Sequence, residues 1–264
     1  MKIGAAIIAC DRVDYTNKCI QSLLDNKRDL NEVIVINDGM AWYSNFDIEI
    51  IHNTPPYQTV GVAKNNAIKT LLERGCDHIF LIENDIIIKS PDVFKKYIEA
   101  AQVTGITHLN FGYHGPANRT PNYKDPNPRY IVEYPDNVKI ALNPHSVGAF
   151  SYFDKRYINE VGMHDLFFKN AWEHVELCQR GIKKGLLPAF WWFPDIVGSD
   201  TMLEEIPGSI QNSSITHTET WTDNMKKGAE YYKKQHGWIP IHSPDTPIET
   251  VLKNLKTIYK KYKK

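Results

Sequence analysis

Short apolar runs separated by stretches with helical spacing set the rhythm of the first half of the chain. Residues 3–9 form a run fit for a buried strand, and residues 15–24 carry Ile20, Leu23 and Leu24 at helical spacing. Residues 32–36 form a second run, closed by the turn residues Asn37, Asp38 and Gly39, and residues 48–52 form a short third one. Residues 61–73 place Ala63, Ala67, Leu71 and Leu72 on one helical face, and Gly75 stops that helix. Residues 78–82 predict a fourth strand. Ser90 and Pro91 then supply an N-cap and a first helical residue. Strand and helix alternating at this spacing predict an α/β fold with a mostly parallel sheet covered by helices on both faces. Ligands of such sheets collect at the carboxyl ends of the strands. Asp11, Asp38 and Asp85 each follow an apolar strand, so all three are predicted to meet in one crevice.

The second half reads differently. Residues 112–129 are rich in Pro, Asn and Gly with almost no aliphatic side chains, the composition of a long binding or lid loop. Residues 139–153 predict paired strands, residues 171–184 a helix and residues 186–193 an aromatic strand. The tail, residues 247–264, is an amphipathic helix with Val251, Leu252, Leu255, Ile258, Tyr259 and Tyr262 on one side and lysines elsewhere. Such a helix either packs on its own domain, the reading favoured here, or makes peripheral contact with a membrane. The expected organisation is a main domain over residues 1–225 and a helical extension, 226–264, packed on it.

Composition narrows the partners. Lys plus Arg equals Asp plus Glu at 31 each, so no global charge draws the chain to nucleic acid. The four cysteines lie far apart, without the spacing of a zinc site or a disulfide framework, which points to a reducing, cytoplasmic setting. Asn118-Arg-Thr and Asn212-Ser-Ser match the glycan-acceptor pattern but mean little without export.

The stretch "LIENDIII", residues 81–88, sets Glu83, Asn84 and Asp85 inside an otherwise apolar run, where unpaired charge is costly. Either the strand ends there in a solvated turn, or the acids hold a cation and its ligand. Around this stretch five segments, in order, resemble the family 2 glycosyltransferases of the GT-A fold. "IGAAIIACDR" resembles their opening strand and "VIVINDGM" the second, acid-ending strand. "VGVAKNNAI" resembles their Gly-x-Ala-x-Arg-Asn segment, with Lys64 where Arg is commoner. "HIFLIENDI" resembles the strand bearing the Asp-x-Asp metal motif. The segment from Val147 through "AWEHVELCQR" resembles the acceptor-side block.

That resemblance implies a Rossmann-like GT-A domain that moves a sugar from a nucleotide-sugar, a UDP-sugar here, to a saccharide or lipid-linked glycan, with Mn²⁺ or Mg²⁺ as cofactor. Asp85 matches the metal ligand, Glu83 replaces the first acid of the motif, and Asn84 is its variable middle residue. Asp38 and Asp11, with Arg12 beside it, match the nucleoside contacts; as Asp residues both also suit helix capping. Lys64 and Asn65, early in a helix, suit phosphate, although Lys64 also fits a solvated face. Glu173 matches the first residue of the family's Glu-Asp pair, and His174 stands where the catalytic base is usually Asp. Imidazole is a competent base near neutrality. His174, Glu173 or a retaining mechanism without a base therefore all stay open. His217 is the expected further metal ligand, with His145 its competitor. Trp172 suits stacking on an acceptor sugar or a place in the core, and "WWFPD" offers Trp192 and Asp195 to the acceptor; Trp191 and Trp192 alternate faces, so only one of them can line the site.

Three rival readings remain. A dinucleotide-binding enzyme is set aside because the first βα turn, "ACDRVDY", has no glycines. A degenerate GT-A sugar-binding module is kept alive by Glu83 and His174. Transfer to a nucleobase hydroxyl of DNA is disfavoured by the neutral charge balance.

Overall fold

The computed structural model describes residues 1–42, 44–213, 215–216 and 218–263. The first half alternates as its apolar runs predict, with β1 (Ile3–Ala9), α1 (Val13–Asp25), β2 (Glu32–Asn37), β3 (Glu49–His52), α2 (Val60–Glu73) and β4 (His78–Glu83). Next come β5 (Ile86–Ile88), α3 (Val93–Thr104), β6 (His108–Asn110), β7 (Tyr130–Glu133), β8 (Lys139–Asn143) and β9 (Phe150–Asp154). The remainder comprises α4 (Lys155–Val161), α5 (Glu173–Lys183), β10 (Phe193–Ile196), α6 (Ser199–Met202), β11 (Leu203–Glu205), α7 (Glu219–His236) and α8 (Ile248–Tyr262).

The central sheet has the order β3-β2-β1-β4-β9-β6. Its first four strands are parallel, and β9 runs antiparallel between β4 and β6. β1 is buried at every residue, as a strand covered on both faces must be. Beneath the sheet Phe80, Phe94, Tyr97, Phe150 and Tyr152 interlock with ring centroids 4.9–6.5 Å apart. Aromatic pairs at such separations add to the burial of the rings themselves. Gly39 lets the ends of β1 and β2 close together, because a Cβ there would collide with the carbonyl of Cys10.

Several expectations are corrected. The strands of residues 139–153 form but do not pair with each other: β9 joins the central sheet, whereas β8 lies between β7 and β10 in a separate one. No strand covers residues 186–192. Trp191 turns into the left-handed region at φ 66°, and β10 starts only at Phe193. The boundary expected at 225/226 falls inside α7, a continuous helix. That helix escaped the periodicity reading because it buries only Gly228, Tyr232 and His236. Its start was marked by Thr218, whose side chain accepts from Trp221 N.

The tail packs. Val251, Leu255, Ile258 and Tyr262 are buried, α8 lies against α3, and Arg156 sits 4.5 Å over the Tyr262 ring. Most of the apolar face is therefore covered by the domain itself, as the packing reading expects, and nothing in the fold supports a membrane contact through this helix. No helix among the described residues is long and apolar enough to cross a membrane. Asn118, in the first glycan-acceptor triplet, is also accounted for: it is buried, donating to Gly112 O and His145 O and accepting from His145 N.

Asp195, expected at the acceptor, is a structural hub. It has no exposed surface and accepts from Tyr97 Oη (2.6 Å), Ser199 Oγ (2.6 Å), Gly112 N (2.9 Å) and Ile196 N (2.8 Å). Burial outweighs these four donors and pushes its carboxyl up to about 6. The folded state thus holds this proton more tightly than the unfolded chain does, so stability falls as pH rises from about 4 to about 6, by about 3 kcal/mol. Denaturant midpoints of wild type and Asp195→Asn, taken from pH 4 to 7, are expected to differ in slope across that window. Parallel curves would remove the linkage.

Candidate active site

The carboxyl ends of the parallel strands open into two adjoining cavities. The smaller, about 230 Å³, is lined by Asp11 after β1, Asp38 after β2 and Glu83 at the end of β4, with Arg12, Asn84 and Tyr57. The larger, about 560 Å³, holds Asp85, His114, Glu173, His174, Trp172 and Trp191. Arg12, Glu83 and Trp221 border both.

Asp38 is buried, with Oδ1 accepting from Asn53 Nδ2 (2.8 Å) and Gln58 N (3.1 Å); burial raises its carboxyl above the ordinary aspartate value despite these donors. Neither donor comes from a helix it caps, and α2 is capped instead by Thr59. Asn84 is a tie rather than a ligand contact. It donates to Asp11 O (3.0 Å) and Thr16 Oγ1 (2.9 Å) and accepts from Arg12 Nη2 (3.0 Å).

Asp85 is nearly enclosed. Its Oδ2 meets Arg12 Nη2 at 3.2 Å, while its Oδ1 faces His114 Nε2 at 3.4 Å. Burial works against the charge of Asp85, but His114 and then Arg12 hold its carboxyl below the usual range. Asp85 Oδ1 and His114 Nε2 are both buried and neither has a hydrogen-bond partner. A carboxylate oxygen and an imidazole nitrogen that face each other at ion-pair distance, outside hydrogen-bond geometry, are the donor types that Mn²⁺ accepts. Among the described residues no three His, Cys, Asp or Glu side chains cluster as a complete metal site. Two protein donors nevertheless fit a cation whose remaining positions are filled by substrate phosphates and water, the common arrangement for such ions. His114 was missed by the sequence reading, although it sits in the long loop singled out as a binding element. His217 lies outside the described residues. Its competitor His145 stands edge-on to Trp191, with centroids 6.2 Å apart.

Lys64 and Asn65 are not phosphate ligands in this arrangement. Lys64 is buried, and its Nζ reaches Glu83 Oε1 (2.8 Å), Glu173 Oε1 (3.3 Å) and Gly148 O (3.3 Å). Burial opposes the ammonium, but the two carboxylates outweigh it and raise Lys64 above the ordinary lysine value. Asn65 is engaged with the backbone of His164, donating to its O and accepting from its N, each at 2.9 Å.

Glu173 links this buried charge to the larger cavity. Its Oε1 also lies 3.1 Å from His174 Nδ1, whose ring is partly exposed to that cavity. Burial alone would raise the Glu173 carboxyl, yet Lys64 and then His174 hold it far below the ordinary range. An ionised Glu173 accepting from Nδ1 leaves Nε2 as the basic nitrogen, the logic by which a carboxylate orients a catalytic histidine. Gly148 makes room for this: a Cβ there would stand 3.0 Å from the His174 ring and 3.2 Å from Lys64 Nζ. Glu176 and Arg180, four apart on α5, bond at 2.9 Å, with Glu176 buried.

The aromatic assignment is corrected. Trp192 is buried under Arg129, whose guanidinium lies 3.8 Å over its ring, and Trp191 faces the cavity instead. Trp172 lines the cavity as expected, donating through Nε1 to Met225 O (3.0 Å).

A parallel β3-β2-β1-β4 core extended by antiparallel strands, with acids at the strand ends, is the GT-A fold. Solved structures bear this out. Residues 1–349 of TarS from S. aureus, in complex with UDP, match 98% of this chain and 81% of their own length at 11% identity and a TM-score of 0.53. The mannosyltransferase PcManGT from Pyrobaculum calidifontis, in complex with GDP-Man and Mn²⁺, matches 98% of this chain and 68% of its own at 10% identity and a TM-score of 0.52. No protein-family model matches the chain, and no curated protein matches it by sequence.

Proposed function

We propose that this chain is a metal-dependent glycosyltransferase that moves a sugar from a UDP-sugar to a hydroxyl of a saccharide acceptor, with inversion. One observation carries the reading: the acids of three strand ends line a pocket that opens, past Glu83 and Arg12, onto Asp85, His114 and an oriented Glu173–His174 pair. The complexes of like-folded TarS with UDP and of PcManGT with GDP-Man and Mn²⁺ support the donor and cation classes.

In this reading Asp38 and Asp11 hold the nucleoside, since a carboxylate accepts from a uracil N–H. Asp85 Oδ1 and His114 Nε2 would hold Mn²⁺ or Mg²⁺. A cation there supplies Lewis-acid stabilisation of the departing diphosphate. Arg12, fixed by Asn84 and Ser209 O, places a further positive charge at the junction of the cavities. Glu173, kept ionised by Lys64, fixes the His174 ring, and Nε2 takes the proton of the acceptor hydroxyl as the new bond forms on the face opposite the leaving group. A reducing, cytoplasmic location belongs to the same proposal and is supported by the four free thiols.

The deciding experiment is nucleotide release from UDP-, GDP- and CMP-sugars with and without Mn²⁺. Release is expected with a UDP-sugar only in the presence of the cation, and Asp85→Ala is expected to lower it about a hundredfold, the scale of losing several kcal/mol of charge stabilisation. Turnover that survives EDTA would remove the cation from the mechanism. A folded protein that turns over no donor would be a binding module.

A further inference from the structure

The larger cavity combines the charged groups described above with an aromatic, apolar wall. At about 560 Å³ it falls within the range of pockets that enclose drug-sized ligands. Trp172, Trp191 and Trp221 border it, with Phe190 and Met225 between them and Ile241, 62% exposed, at the rim. Two of the indoles offer no polar handle to a ligand. Trp172 Nε1 donates to Met225 O at 3.0 Å and Trp191 Nε1 to Ser243 O at 2.8 Å, so both rings face inward with carbon alone.

Trp172 and Trp191 also sit at φ 67° and φ 66°, a backbone region uncommon for bulky residues and concentrated at ligand-binding sites. The charge pattern points the same way. No lysine borders the cavity among the described residues. Arg12 does, but its guanidinium is engaged by Asp85, Asn84 and Ser209 O. Glu83, Asp85 and Glu173 border it as well, and Lys64 and Arg12, the cations that pair with them, are thereby occupied, so among the described residues no lysine or arginine is left there to hold an acidic acceptor.

We propose that the acceptor is an uncharged glycoside carrying an apolar aglycone, with the aglycone packed against Trp172, Trp191 and Trp221 and the sugar hydroxyl presented to His174. This inference rests on the transferase reading and narrows it to a substrate class.

The test is equilibrium binding to the intact protein by tryptophan fluorescence, with hexyl, phenyl and methyl β-glycosides of glucose, galactose and mannose below any micellar concentration. The corresponding sugar 6-phosphates serve as acidic probes. For at least one sugar, the hexyl or phenyl glycoside is expected to bind at least tenfold more tightly than the methyl glycoside, and the phosphates no better than the methyl compound. Trp191→Ala is expected to cut that advantage to threefold or less, and calorimetric binding of UDP to the same variant reports whether the neighbouring pocket is still folded. Equal affinity for methyl and hexyl glycosides, or tightest binding of a phosphate, overturns the inference. So does failure of every apolar glycoside to bind a protein that binds UDP. Failure of both UDP and glycosides overturns the transferase reading with it.

Discussion

His174→Ala is expected to slow glycosyl transfer by about 10²- to 10⁴-fold, the usual contribution of a positioned general base, while leaving the nucleotide bound. The argument is geometric. Of the two residues that match the family's catalytic pair, Glu173 is buried and already engaged by Lys64 and His174, whereas His174 reaches the cavity. Glu173→Gln should also slow transfer, because a neutral amide no longer fixes the Nδ1–H tautomer or balances Lys64. The measurement is single-turnover transfer with the donor that supports nucleotide release, with the anomer of the product read by NMR. An unchanged rate in His174→Ala, or a product with retained configuration, would move the base elsewhere or remove the need for one.

Lys64→Met is expected to lower stability by about 3–5 kcal/mol, the range for breaking a buried ion pair and stranding its partner. Here two partners are stranded, since Glu83 and Glu173 both lean on the same ammonium. The pH dependence has a definite sign. Glu173 is depressed in the folded protein, so its stabilising contribution is present above the ordinary glutamate range near ~4.3 and is lost only as pH falls towards its depressed value. Without Lys64 the carboxyl rises, and its protonation relieves the stranded charge at milder acidity. Urea denaturation at pH 8 and pH 5 should therefore show a larger gap between wild type and variant at pH 8. A uniform gap would mean that the lost packing of the lysine stem, and not its charge, accounts for the effect. Adding Glu173→Gln to Lys64→Met is expected to recover part of the loss.

Lys64 also shows where sequence reading stops. The parallel strands were legible because most are apolar runs, and strand polarity brought Asp11 and Asp38 together as expected; Asp85, expected beside them, lines the adjoining cavity instead, and Glu83 takes the third place. A lysine in the first turns of a helix, however, reads identically whether it meets phosphate, water or two buried carboxylates. The partners that decide the matter lie 19 and 109 residues away. The choice of Trp192 over Trp191 failed for a related reason: only one of the two lines the cavity, as expected, but the left-handed turn at Trp191 and not a strand decides which. His114 carried no periodicity at all. Its only signal was the unusual length and composition of its loop. Asp195 was assigned to the acceptor because two of the four donors that enclose it, Tyr97 and Gly112, lie 98 and 83 residues away.

Trp221 borders both cavities from a helix that buries little else. In the proposed transferase, donor and acceptor would share this indole as a common wall, and any effect of one on the affinity of the other would be the same factor in either direction.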